Sequence, residues 1–252
     1  SIKAVVAEHD IDFAMNCCDP RMNECIFDTC LECKIGYLDC AMTLGKEHPE
    51  KPYELAHIKL GDYQFAKQKE WEASGKIAIC GSGVEPGMAD VFAKYAQKHL
   101  FDKIDRVDVR DGDNYGNTDS DFGFSVWTTI EECLAPPVIW EKNEEFPEGH
   151  WFCTEQFSEP EIFNFPGGIG DVEVVNVEHE EVLLVPREID CNRVTFKYGV
   201  PAEFRAKLMV LHGWGLDDKH TKIKVGDSEI TPRDFVCKVI PNPVSSTETM
   251  TG

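Results

Sequence analysis

Through the first third of the chain, short apolar runs alternate with segments of helical period. Residues 13–18, FAMNCC, read as a short buried strand, which Asp19-Pro20 breaks. An amphipathic helix over 21–34 follows, with Met22, Cys25, Ile26, Thr29, Cys30 and Cys33 along one stripe. Gly36 ends it, and GYLDCA reads as a second strand. A polar loop carrying Gly45, Pro49 and Pro52 leads to a predicted helix over 62–74, with Tyr63, Phe65, Ala66 and Trp71 as its apolar positions. Gly75 closes that helix, and KIAICGS predicts a third strand. Strands alternating with helices in this way predict parallel α/β units.

After residue 85 the pattern changes. A helix over 86–101 opens with Pro86 in its first turn, and Ala89, Val91, Phe92, Tyr95, Ala96 and His99 are its expected inner face. IDRVDVRD alternates as a half-exposed strand. From 112 to 170 the chain is rich in Gly, Pro, aromatics and acids, with no long periodic segment. Alternating strands are expected at DVEVVNVEHEEVLLV and NRVTFKYG, and a helix over 201–214. A hairpin is expected across Gly226-Asp227, and Thr231 is expected to cap a last helix over 231–240. This second part reads as α+β with a mainly antiparallel sheet.

The 252 residues suffice for one large or two modest domains, and their formal charge is −21. Polyanions are repelled, so nucleic acid is not an expected partner. The acids concentrate between Glu131 and Glu181; they suit a solvated surface or the steering of a cationic substrate. No apolar run approaches the roughly 18–20 residues of a membrane span, so no membrane partner is expected. The first residues lack the basic start and apolar core of a signal peptide. The 11 cysteines are odd in number and irregularly spaced, which favours a reducing, cytoplasmic setting. Cys30 and Cys33 form one CxxC, but no second pair follows at zinc-finger spacing. Their helical stripe favours core packing, and no metal site is assigned.

The loop IAICGSGVEPGMADVF carries the first two glycines of a dinucleotide fingerprint, Gly81 and Gly83, with a helix and a strand ending in Asp111 to follow. Pro86 displaces the third glycine, and Glu85 would repel a pyrophosphate at the helix N-terminus. A ligand other than phosphate remains open, because open α/β sheets bind at the carboxyl ends of their strands. Three such ends occur, at Asn16–Pro20, Asp39–Thr43 and Gly81–Gly87. An acidic helix cap in each loop would equally account for them without a ligand.

ECIFDTCLECKIGYLDCA, GSGVEPGMADVFAKYAQKHLFDKIDRVDV, WTTIEECLAPPVIWE, EIFNFPGGIGDVEVVNVEHEEV and PRDFVCKVIPNP resemble, in order, blocks of the saccharopine dehydrogenase-like oxidoreductases. That group includes saccharopine reductases, lysine dehydrogenases and carboxynorspermidine synthases. The resemblance implies an α/β fold. Residues 1–85 would form the later, C-terminal part of a Rossmann-like parallel sheet, and 86–252 an α+β substrate-binding and dimerisation domain. It also implies that an N-terminal half with the true G-x-G-x-x-G precedes Ser1, and that more chain follows Gly252.

The family reaction implied is hydride transfer between NADP or NAD and a carbon bonded to nitrogen, on an amino acid or carboxylated amine. Cys17, Cys18, Cys40, Ala41, Met42, Val84, Glu85 and Pro86 match positions beside the cofactor. Met42 departs from a tyrosine found in relatives. Glu85 stands where Asp is usual and is the implied catalytic carboxylate, with a helix cap as its other reading. Lys197, Tyr198 and Arg205 are substrate-carboxylate candidates, or surface ion-pair partners. His179, expected on a strand, is a proton-shuttle candidate or a hydrogen-bonded structural histidine. A homodimer is the expected assembly. Two other classes stay open: a non-catalytic scaffold that kept the fold, and a cysteine-based metal protein.

Overall fold

The computed structural model describes residues 2–113 and 122–241. In chain order it gives α1 (Ile2–His9), β1 (Phe13–Asn16), a 3-10 turn (Pro20–Met22), α2 (Asn23–Cys33), β2 (Gly36–Asp39), α3 (Asp62–Ala66), α4 (Gln68–Ser74), β3 (Ala78–Ile79) and α5 (Met88–His99). Then come β4 (Arg106–Asp111), α6 (Val126–Leu134), β5 (Val138–Glu141), β6 (His150–Cys153), β7 (Glu161–Phe165), β8 (Gly170–Asn176), α7 (Glu181–Glu188) and β9 (Arg193–Tyr198). The last are α8 (Ala202–Gly213), β10 (Ile223–Val225), β11 (Ser228–Ile230) and α9 (Pro232–Val239). They group into two compact units. One is Ser1–Val109, Pro136–Glu155 and Glu178–Lys197; the other is Arg110–Ala135, Gln156–Val177 and Tyr198–Gly252.

In the first unit β1, β2 and β3 form a parallel sheet, with Ala14 beside Tyr37 and Tyr37 beside Ala78. That face is covered by α2 and α4. Phe27, Tyr37 and Trp71 meet there, with Phe27 5.1 Å from Tyr37 and 5.0 Å from Trp71 between ring centroids. Ile26, Cys30 and Ile35 complete this core. The opposite face, reached by Phe13, Met15, Leu38 and Ile79 in the same register, is largely uncovered, with Met15 66% exposed. The unit also holds β5 paired antiparallel with β6 and β9, while β4 pairs with β9. In the second unit β7 and β8 form an antiparallel hairpin, β10 and β11 another, and α6 packs on α8 and α9. Thr231 caps α9 by accepting the N–H of Asp234, and Ser125 caps α6.

Several sequence expectations are corrected. FAMNCC is not buried: β1 is an edge strand, Phe13 and Met15 lie on the uncovered face, and the strand ends at Asn16. In α2 the inner stripe is Asn23, Ile26, Phe27 and Cys30, whereas Met22 and Cys25 face out. The helix expected over 62–74 breaks at Lys67 into α3 and α4. Pro86 precedes α5 rather than opening it, because Gly87, at φ +124°, is the cap residue. The inner face of α5 is corrected in part. The expected Ala89 and Ala96 are half-buried, with Ala93, and α5 packs on α7, while Val91, Phe92, Tyr95 and His99 are exposed. Close helix packing selects the small side chains. The stretch 112–170, expected to hold no long periodic segment, carries the short elements α6, β5, β6 and β7, with residues 114–121 outside the described residues. Finally, EVLLVPRE is the helix α7, so His179 lies in the loop before a helix and not on a strand. Its paired acids favour a helix N-terminus, and Val182, Leu183 and Val185 supply a helical inner face.

Candidate active site at the ends of the parallel strands

Because β1, β2 and β3 run parallel, their carboxyl ends share one edge of the sheet. That edge brings together Cys17 and Cys18, then Cys40, Ala41 and Met42, then Val84, Glu85 and Pro86. One buried polar network pins all three loops. Asn16 Nδ2 donates to Asn23 Oδ1 at 2.7 Å and to the Tyr37 hydroxyl at 3.1 Å, and Asn16 Oδ1 accepts the Cys18 N–H. Asn23 Nδ2 donates to the carbonyl of Ala41. The Tyr37 hydroxyl donates to Asp39 Oδ2, which also receives Gln64 Nε2 at 2.6 Å. Gln64 Oε1 accepts the Thr43 N–H, and Asp39 Oδ1 accepts the Gly81 N–H at 2.7 Å. Asp39 is 1% exposed, and burial pushes its carboxyl up despite these three donors. Cys80 is likewise pushed up to about 12 by burial and by Asp39.

Residues before and within α7 extend the site. Glu180 Oε1 accepts the Met42 N–H at 3.0 Å, so His179 and Glu180 stand at the end of β2 although they follow it by some 140 positions in sequence. The His179 ring stacks on Phe196, centroids 3.8 Å apart, and its Nδ1 bonds Glu181 Oε2. Burial raises Glu180. Asp90, in the first turn of α5, is pushed up to about 6 by burial, then by Glu181 and Glu180. Glu181 is fully buried, and its Oε1 and Asp90 Oδ1 have no hydrogen-bond partner among the described residues. No lysine or arginine pairs with Asp39, Asp90, Glu180 or Glu181 among the described residues. Nor is any group of three His, Cys, Asp or Glu residues there placed to hold a metal ion.

The glycine loop is closed on itself. Gly87 N–H donates to Asp90 Oδ2, Met88 N–H to Gly83 O, and Ala89 N–H to Val84 O. A Cβ at Gly87 would lie 2.7 Å from Gly83 N, so only glycine permits this closure. With the leading N–H groups of α5 engaged internally, the loop is not a phosphate cradle. Glu85 is half-buried and its bond to Pro86 is cis.

The other sequence-derived candidates lie elsewhere. Lys197 is buried on β9, and strand alternation sets it on the face opposite Phe196. Tyr198 and Arg205 belong to the second unit. Burial and then Asp111 raise the Tyr198 phenol, and Arg205 pairs with Glu173. Sequence reasoning missed Asn16, Asn23, Asp39, Gln64, Asp90, Glu180 and Glu181. The one signal available was Asp39, which closes an apolar strand and precedes Cys40.

A parallel sheet opening at its strand ends, followed by antiparallel elements, defines a Rossmann-like mixed α/β protein. The chain belongs to the saccharopine dehydrogenase family: residues 83–251 match the model of the saccharopine dehydrogenase C-terminal domain. It is 28% identical to the carboxynorspermidine synthase of Vibrio alginolyticus, covering 100% of this chain and 58% of that protein. It is also 28% identical to the carboxyaminopropylagmatine dehydrogenase of a Synechocystis species, covering 96% and 57%. The chain thus spans somewhat more than half the length of the curated relatives it matches. Among solved structures, homospermidine synthase from Legionella pneumophila in complex with NAD aligns with a TM-score of 0.52 at 12% identity, covering 87% of this chain and 57% of that one. The L-Glu-forming saccharopine dehydrogenase of Saccharomyces cerevisiae aligns with the same TM-score and identity, covering 87% and 46%.

Proposed function

We propose that this chain forms part of an NAD(P)-dependent oxidoreductase acting on a CH–NH bond of an amino acid or carboxylated amine, with the strand-end crevice as its reaction site. The observation that carries the reading is the polar network from Asn16 to Gly81, which fixes three loops around one edge. Small, uncharged side chains, Cys17, Cys40 and Ala41, line that edge and suit an uncharged nicotinamide ring. The bound cofactor would accept hydride from, or deliver it to, the carbon next to nitrogen. The residues' part is positioning and proton handling. Glu85 holds the substrate ammonium and takes or returns its proton, and His179, oriented by Glu181, relays protons at the Met42 strand end. The acids that lack lysine or arginine partners favour a cationic amine. Carboxylated polyamines are therefore the preferred substrates over saccharopine or lysine, in keeping with the names of the relatives. In the same proposal residues 1–85 carry the cofactor, 86–252 carry substrate contacts, including Lys197, Tyr198 and Arg205, and a homodimer contact, and the working compartment is the cytoplasm.

The test is nicotinamide absorbance with the full natural gene product, NADH or NADPH, and a panel of amines paired with aldehydes or keto acids. Turnover is expected with one pair, and Glu85→Gln should lower kcat at least ~10-fold with an unchanged unfolding midpoint. No turnover and no cofactor binding across the panel would overturn the reading; full activity in Glu85→Gln would remove that residue's role.

A further inference from the structure

Parallel pairing sets Asn16 beside Asp39. The next residues, Cys17 and Cys40, therefore leave β1 and β2 at adjacent corners of the sheet. Alternation carries both side chains toward the uncovered face shared by Met15 and Leu38, and both residues are exposed free cysteines. Neighbouring strands lie about 4.7–4.9 Å apart, inside the roughly 4.4–6.8 Å between Cα atoms that a disulfide spans. The backbone is held on both sides: the Cys18 N–H bonds Asn16 Oδ1, and the Ala41 carbonyl accepts Asn23 Nδ2. From this geometry we infer that Cys17 and Cys40 form a reversible disulfide, a redox modification site at the mouth of the strand-end crevice. The inference stands whether or not the chain binds a nicotinamide cofactor.

The chemistry needs a small disulfide, RSSR, as oxidant. The Cys17 thiol loses its proton, and its sulfur attacks RSSR. That step forms a Cys17–SR bond, breaks the S–S bond and releases one RS⁻. Cys40, as thiolate, attacks the Cys17 sulfur, closes the Cys17–Cys40 bond and expels the second RS⁻. Each RS⁻ takes up one of the released protons, so two protein thiols are oxidised and one RSSR becomes two RSH. Cys40 acts second. Partial burial raises its thiol, and a hydrogen bond with Cys17 raises it further; the resolving step is assigned to it. Cys80, at the end of the third strand, is pushed up to about 12 and held by Gln64, and it takes no part.

The test treats the full natural gene product with oxidised glutathione and maps peptides without reduction. The expected result is loss of two thiols per chain, a peptide from around Cys17 linked to one from around Cys40, and full recovery with dithiothreitol. Cys40→Ser should stop at a glutathione adduct on Cys17, and Cys17→Ser should abolish the bridge and leave Cys40 with at most a glutathione adduct. Separate adducts on both cysteines of the unmodified sequence, or a bridge joining Cys17 to Cys18 instead, would overturn the inference. The peptide map of the natural sequence decides the question even if a variant folds poorly.

Discussion

Glu131 on α6 and Asp39 at the end of β2 are both buried carboxylates, 6% and 1% exposed, but their surroundings differ in charge. Glu131 gives one oxygen to Lys219 and the other to Arg233, and Arg233 Nε also donates to the Asp217 carbonyl at 2.7 Å. Asp39 meets only neutral donors, from Tyr37, Gln64 and Gly81. Asp90, Glu180 and Glu181 also lack a lysine or arginine partner among the described residues; they meet backbone N–H groups and the His179 imidazole instead. A neutralised triad holds structure together, since removing one member leaves an uncompensated charge inside the protein. Acids buried without a cation are costly to keep ionised and concentrate where chemistry or binding needs them. The contrast sets a carboxylate neutralised by lysine and arginine in the second unit against buried carboxylates without either partner, among the described residues, in the first.

The sharpest way to break this division is Glu131→Ala, which strands the buried Arg233. It should lower unfolding free energy by about 3–5 kcal/mol, measured by urea titration. A loss near zero would mean the triad is not structural. Asp39→Asn is the counterpart. It keeps the shape but exchanges an acceptor oxygen for a donor facing existing donors, so about 1–3 kcal/mol should be lost. If the strand-end crevice is the reaction site, kcat should fall more in this variant than in any surface control, while the unfolding change stays below that of Glu131→Ala.

The smallest expected effect is a pH dependence. Asp90 holds its proton more tightly when folded, with a value raised from 3.8 to about 6. Its contribution to stability is therefore complete below about pH 4 and is lost as pH rises through about 6. Asp90→Asn should flatten this part of a urea-midpoint profile and leave the protein at least as stable at pH 7, because the amide oxygen can still accept the Gly87 N–H. Asp39 and Glu180 shift in the same direction, so a residual slope should remain. An unchanged profile in the variant would show that Asp90 is not a group carrying the slope.

The parallel sheet was legible in the sequence because each strand is a short apolar run followed by a turn residue and a segment of helical period. The three strand ends that share one edge of the sheet were legible for the same reason. The network beneath them was not. Asn16, Tyr37, Asp39 and Gln64 are separated by as many as 48 positions, and nothing in a local pattern tells a buried Asn or Gln from a solvated one. VEHEEVLLV fits a period of two and a helix equally well over a few residues, and the helix prevails where Val182, Leu183 and Val185 find a common core. On α5 the expected face mixed Ala89 and Ala96 with Val91, Phe92 and Tyr95, and where α5 packs on α7 it is the alanines that are half-buried.

Gly87 closes a loop whose leading amides are already bonded within the protein. Such a loop arrives preorganised: little conformational freedom remains to be lost when a molecule docks beside Glu85. In the proposed reaction site, selectivity at this corner would come from shape and charge already in place, and a molecule that needs the backbone to rearrange would meet resistance from Gly83 and Asp90 together. A side chain at position 87 would meet Gly83 and loosen the frame around Glu85, so under the proposed function it should weaken binding without touching the bound molecule.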